Sequence, residues 1–418
     1  MPAKILFFSE RRQGCQPPRS AVHSSKDRDS YLARMQLARI VNDPVHGFIR
    51  LPEGRVMQAL EHPYLQRLRR ISQLGLAQFV YPGATHTRFN HALGVLHLAQ
   101  EALMTLQTKG LSLPAETQEA TLLAALLHDI GHGPFSHTLE GQILPLSHEE
   151  IGHLLLQKLE KDLGSLQEVQ ALWQGTHPQA FLCELIAGQL DVDRLDYLTR
   201  DSFFTGVQEG MVGTERLVYT MTVAEGRLVI EEKGLNSVEK FIVTRRFMYW
   251  QVYLHKAVLS AEQLLRRWWQ AWQHHTGKPS LSTVEEFLKV DEAQVWSWIH
   301  QGADSAFPPL RALSRALLWR VLYKVRFVSP EEATSLREAW EACLPAAARP
   351  WKAWFWTEGQ AENTAYWPEG TGEIPVLGKD GRMRPLSEVA PWLKGLAGPT
   401  KRFFAGGIPA ASLESLLR

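Results

Sequence analysis

Residues 122–137 read LLAALLHDIGHGPFSH. The apolar run LLAALL passes without interruption into His128 and Asp129, and two more histidines, His132 and His137, follow across a glycine-rich break. Such a run predicts a helix buried in a core. Ending it in an imidazole and a carboxylate delivers a nitrogen and an oxygen donor to one point, a mixed set that suits borderline divalent metals. Gly131 and Gly133 are expected to break the helix and let the backbone approach a phosphate chain closely. A His-Asp pair alone is weak evidence, because a helix-end histidine satisfied by the last carbonyls is the ordinary alternative.

The flanking sequence supplies partners. In TRFNHALGVLHLAQEAL, His91 falls in the first turn of an amphipathic helix with Arg88 just before it. In QLDVDRLDYLTRD, the acids Asp191, Asp193, Asp196 and Asp201 alternate with Leu190, Val192, Leu195 and Leu198, so part of this acidic run must turn inward. SHEEIGH starts another helix near His148 and Glu149; His153 on it reads as an ordinary surface histidine. Further on, Arg245, Tyr249, Tyr253 and Lys256 recur at helical spacing on one face of a long helix expected from Ser237 to His275. Cations there fit phosphate binding and the rings can stack on a base or sugar; the alternative is a snorkelling stripe between domains.

The chain has 418 residues, 45% of them apolar and 21% charged, with a formal charge of +1, so whole-chain charge identifies no partner and does not indicate nucleic acid. No apolar stretch approaches the ~20 residues of a membrane span. Three scattered cysteines without a CxxC pair predict neither a disulfide framework nor a thiolate zinc site, and a reducing cytoplasm is the expected location. The expected organisation is a disordered arm over 1–38, a helical catalytic domain over 39–276, and a helical then α+β region over 277–418. Helices are read at 55–74, 91–109, 117–129, 148–163 and 179–198. Residues 225–233 are read as a strand after a hairpin turn, and the tryptophans of the last region, Trp351, Trp354, Trp356 and Trp367, as core or interface anchors rather than ligand contacts.

The pattern H…HD…D, together with DPVHGFI at 43–49, QRLRRISQLG at 66–75, YPGATHTRFNHALGV at 81–95, HDIGHGPFSH at 128–137 and DVDRLDYLTRD at 191–201, resembles the HD-domain metal-dependent phosphohydrolases, in their deoxynucleoside triphosphate triphosphohydrolase branch. The match spans about residues 40–210. It implies a mainly α-helical HD-domain bundle, here with a small α+β C-terminal module, and His91, His128, Asp129 and Asp193 as ligands of a divalent ion (Mn, Mg, Fe, Zn, Co or Ni). It implies His148, supported by Glu149 and Glu140, in acid/base chemistry, with His132 and His137 on the phosphate chain and His137 at the leaving group. Nucleotide contacts are implied at Gln73, Arg88, Arg194, Tyr197, Asp201, Arg245 and Tyr253, to which the helical spacing adds Tyr249. Gln73 and Asp201 are expected near the deoxyribose 3'-hydroxyl. Glu61, Gln66 and Arg69 match positions that bind an activating nucleotide between subunits, so a homo-oligomer, dimer or tetramer, is implied as well. Two other readings stay open: a phosphohydrolase acting on another nucleotide, whose metal chemistry would be the same, and a nucleotide-sensing or nucleic-acid-binding scaffold.

Overall fold

The computed structural model describes residues 37–277, 280–366 and 373–418. The expected N-terminal arm and Trp367 lie outside these residues, apart from the last two positions of the arm.

The apolar run behaves as its composition requires. Helix Ala115–Leu127 buries Leu122 to Leu127 completely, so it is a central rod rather than a surface helix. Helix Arg88–Thr108 packs along it and is started by Asn90, whose side chain accepts from the Thr87 N–H. Helix Val192–Thr205 crosses the Arg88 helix, capped by Asp191, whose carboxylate accepts from Arg194 N at 2.7 Å. Gly94 is required at that crossing: a Cβ there would lie 1.9 Å from Asp196 Oδ1. Helix His148–Leu163 begins at a reciprocal cap between Ser147 and Glu150. Three helix ends therefore meet near His128, and they place the side chains that follow.

Several element boundaries differ from expectation. The 55–74 segment divides into Arg55–Glu61, Pro63–Gln66 and a 3₁₀ turn Arg67–Arg70. Gly188 and the Asp191 cap split the 179–198 segment into Ala180–Ala187 and Val192–Thr205. The long helix is also broken. It runs Leu235–Met248, widens into a π turn over Tyr249–Tyr253, and restarts as Lys256–Thr276 after His255 caps the new helix by accepting from Ala257 N.

Strands Leu37–Asp43 and Gly47–Pro52 form an antiparallel hairpin whose turn carries Asp43 and His46. The expected hairpin Met221–Ala224 and Arg227–Glu231 forms, and it is extended by Pro375–Leu377 and Met383–Pro385 through a parallel pairing of Ile230 with Val376. A second sheet orders Arg326–Phe327, Pro399–Gly407 and Trp356–Thr364. The tryptophans serve as anchors: Trp356 is buried against Trp340, while Trp351 and Trp354 meet Phe307 edge-on. Residues 37–418 form one compact unit, mainly α-helical, with three small sheets among the described residues.

Candidate active site

Four side chains converge where the three helix ends meet. His91 Nε2 lies 2.9 Å from Asp193 Oδ1, 3.2 Å from His128 Nε2 and 3.7 Å from Asp129 Oδ2. His128 Nε2 is 3.5 Å from Asp129 Oδ1 and 3.6 Å from Asp193 Oδ1. Donor atoms that share one ion at 2.0–2.2 Å stand about 3–3.5 Å from one another, so this spacing fits a common metal. The far side of each ring strengthens the fit. His128 Nδ1 is 2.8 Å from the Ala125 carbonyl, which can only accept, so the proton belongs on Nδ1 and the Nε2 lone pair faces the centre. His91 Nδ1 is 2.8 Å from Asp196 Oδ2, the carboxylate–histidine arrangement that orients a metal ligand. Two nitrogen lone pairs and two carboxylates pointed at one spot need a cation between them. The electrostatics agree: burial would depress the His91 pKa, yet Asp193 and Asp196 raise it to about 10, so positive charge is favoured at this point.

A buried network stands behind His91. Asp196 Oδ1 is 2.6 Å from His46 Nε2, and Arg200 bonds both Asp196 and Asp43. Asp196, Arg200 and Asp43 are buried, so the hairpin turn at 43–46 reaches His91 through two carboxylates and a guanidinium. The sequence reading quoted DPVHGFI without assigning a task to His46 or Asp43. Their signal was the motif itself, since neither residue has a helical partner nearby.

The centre opens into a cavity of about 330 Å³. Arg88, His132, His137 and His148 line it beside His91, Asp129 and Asp193. Arg88 donates to Asp129 Oδ2 at 2.5 Å and to Ser136 Oγ at 2.8 Å. Burial would raise the Asp129 carboxyl, but Arg88 and the adjacent histidines hold it well below the ordinary carboxylate range. His132 stacks on His148 with ring centroids 4.0 Å apart, and burial together with Arg88 keeps its pKa well below the ordinary value, so it is neutral. Glu140 joins the other pair: its two oxygens lie 2.5 Å from His148 Nδ1 and 2.8 Å from His137 Nδ1. Those bonds hold the Glu140 carboxyl far below its ordinary value. Glu149 is exposed and does not line the cavity, so the acid that orients His148 is Glu140.

Gln73, Tyr197, Asp201, Tyr249 and Tyr253 also line the cavity. Tyr253 Oη donates to Asp201 Oδ2 at 2.7 Å, and Asp201 Oδ1 faces His86 Nε2 at 2.7 Å, a partner that sequence reading missed although it stands in YPGATHTRFNH. Gln73 Oε1 and Arg245 Nε are buried without a partner. The π turn keeps Tyr249 and Tyr253 on the cavity while Lys256, after the break, is exposed; the single four-residue face does not form. Arg194 and Arg245 are set back from the lining, and Arg194 is bound to Asp191 and the Gly188 carbonyl. The glycines also act differently from expectation. A Cβ at Gly131 would come within 2.0 Å of the His148 carbonyl, and one at Gly133 within 2.7 Å of the Phe287 ring, so both admit protein neighbours rather than a phosphate chain.

Glu61, Gln66 and Arg69 lie off the cavity. Glu61 pairs with Arg39 at 2.6 Å, and Arg69 donates to Gln66 while covering the Phe89 ring at 3.6 Å. No described helix is long and apolar enough to cross a membrane.

Residues 88–201 match the HD domain and residues 212–341 the HD associated region. The uncharacterized protein YwfO of Bacillus subtilis is 33% identical over 320 residues, covering 71% of this chain and 74% of that protein. The deoxynucleoside triphosphate triphosphohydrolase SAMHD1 homolog of Dictyostelium discoideum is 28% identical, covering 64% of this chain and 53% of that protein. The crystal structure of a phosphohydrolase from Bacteroides thetaiotaomicron superposes with a TM-score of 0.80 at 34% identity, covering 88% of this chain and 99% of that one. With the His/Asp cluster inside one HD region and an associated region after it, the chain belongs to the HD-domain phosphohydrolase family.

Proposed function

We propose that this protein hydrolyses deoxynucleoside triphosphates to deoxynucleoside and inorganic triphosphate. The observation that carries the reading is a single cavity lined by His91, Asp129 and Asp193, by Arg88, His132, His137 and His148, and by the hydroxyl-binding groups Gln73, Asp201 and Tyr253, with His128 Nε2 3.2 Å from His91 Nε2. The SAMHD1 proteins named for this activity share its sequence over most of the chain, at 25% identity in the human protein and 28% in the slime-mould one.

In this reading His91, His128, Asp129 and Asp193 hold a divalent ion, which supplies charge to polarise a phosphoryl oxygen and to acidify water. Arg88 and neutral His132 bind the phosphate oxygens, and the guanidinium offsets the charge that develops on them. Attack of water at the α-phosphorus breaks its bond to O5', and that oxygen needs a proton as it leaves. His148 and His137, both anchored through Nδ1 by Glu140, present Nε2 for that transfer. Gln73, Tyr197, Asp201 and Tyr253 seat the sugar, with Tyr249 against the ring systems. Arg194 and Arg245 reach the phosphates only after side-chain rearrangement, and Arg245 has the unpartnered Nε to do so. Glu149 remains a surface acid near the His148 helix start. Glu61, Gln66 and Arg69 are assigned to an activating nucleotide in a homo-oligomer.

Phosphorus NMR of a dNTP incubated with the purified protein and Mn or Mg tests the reading. Tripolyphosphate should accumulate; no turnover of any dNTP, alone or mixed, sinks it.

A further inference from the structure

The catalytic loop contains two residues in a conformation that side chains avoid. Phe135 and Ser136 have φ of 59° and 51°, the left-handed region, and neither is glycine. They lie between His132 and His137, so their geometry sets how far apart those two imidazoles stand. Such a turn persists only when its surroundings hold it. The holding groups come from outside the HD region. Helix Glu292–Gly302, in the associated region, places Glu292 Oε1 3.0 Å from Phe135 N, 2.8 Å from Ser72 N and 2.6 Å from Ser72 Oγ, and all three donate to it. One helical turn later, Trp296 packs edge-on against the Phe135 ring at 5.9 Å. The lock continues inward: Ser136 Oγ donates to the Ser72 carbonyl at 2.8 Å and receives Arg88 Nε at 2.8 Å. Phe287, also in the associated region, closes against Gly133.

We propose that Glu292 is a positioning residue through which the associated region fixes the Phe135–Ser136 turn, and with it the placement of Arg88, His132 and His137 on the phosphate chain. This rests on the phosphohydrolase reading of the cavity. Glu292 itself does not line the cavity; it acts on one loop carrying Ser72 and Gln73 and on another carrying the histidines. Burial lifts its carboxyl above the ordinary value, so an amide of the same shape is a close replacement.

The test uses the full chain as Glu292→Gln, Glu292→Asp and Glu292→Ala. Measured are melting temperature, bound metal, dNTP kcat and KM, and affinity for inorganic tripolyphosphate by calorimetry. Glutamine keeps the oxygen that accepts all three bonds and should retain at least half of kcat. Alanine should lose kcat at least tenfold and weaken tripolyphosphate binding, with metal content unchanged. Aspartate, one methylene short, should fold as the unsubstituted protein does and still lose several-fold in kcat, which keeps the proposal testable if alanine fails to fold. Unchanged kcat and tripolyphosphate affinity in both the alanine and aspartate variants would overturn it, as would losses in all three variants that simply track melting temperature. If the unsubstituted protein turns over no dNTP, the functional reading fails, while the tripolyphosphate measurement still decides the role of Glu292.

Discussion

At the residue scale the site is a problem of compensating charge. Two carboxylates and two imidazole lone pairs share one small volume, and the side chains behind them keep it assembled. Asp196 is the clearest case, because it orients His91 while being held by His46 and Arg200. Asp196→Asn keeps the shape and removes the charge behind His91, and is expected to weaken metal affinity by about 10–100-fold. Metal titration followed by elemental analysis checks this; unchanged affinity would mean that Asp196 serves packing alone. Glu262 gives a prediction in pH. Its side chain lines the cavity, and burial, acting against Arg266, pushes its pKa from 4.5 to about 7. Between those values the folded chain holds a proton that the unfolded chain has released, so stability falls as pH rises from about 4.5 to about 7 and levels off above. Glu262→Gln removes that slope. Urea unfolding at pH 5 and pH 7.5 should show the variant gaining stability relative to the unsubstituted protein at the higher pH, and an equal difference at both would contradict the assignment.

At the element scale, close approaches and breaks decide the site. Gly131 lets the start of the His148 helix touch the end of the central rod, and Gly131→Ala would place a methyl against the His148 carbonyl. Overpacking of this kind costs about 1–3 kcal/mol. Thermal unfolding should show that loss together with reduced hydrolysis, since His148 must move; a variant with normal stability and activity would show that the contact is soft. The π turn is the counterpart in the long helix. It brings Tyr253 to Asp201, and Tyr253→Phe, which removes one hydrogen bond of about 1 kcal/mol, should raise KM roughly fivefold and leave kcat nearly unchanged. Periodicity shows where helices lie but not where they are interrupted. The 55–74 and 237–275 segments read as continuous because their apolar spacing persists through Pro63 and through the Tyr249–Tyr253 turn, where side-chain caps from His62 and His255 restart the helix. That His91, His128, Asp129 and Asp193 would converge was legible through the family resemblance of several motifs together, since the His-Asp pair alone has an ordinary helix-end alternative. His86 and Glu292 were not, because an acid or histidine outside a recognised pattern gains its partner only when distant segments meet.

At the scale of the whole molecule, the cavity draws on widely separated chain segments. Its lining runs from Gln73 to Glu262, and the groups that brace it extend from Asp43 on the first hairpin to Glu292 in the associated region. The later helices therefore line and brace the cavity, and the strands at 375–385 complete a sheet begun at 221–231. What unites these parts in the proposed function is attack at the α-phosphorus with the triphosphate leaving intact. Turnover of a dNTP in ¹⁸O-enriched water, analysed by mass spectrometry, tests that most directly. The account predicts one ¹⁸O atom in the tripolyphosphate and none in the deoxynucleoside. Label in orthophosphate or pyrophosphate released from the chain's end, or in the nucleoside 5'-hydroxyl, would contradict it.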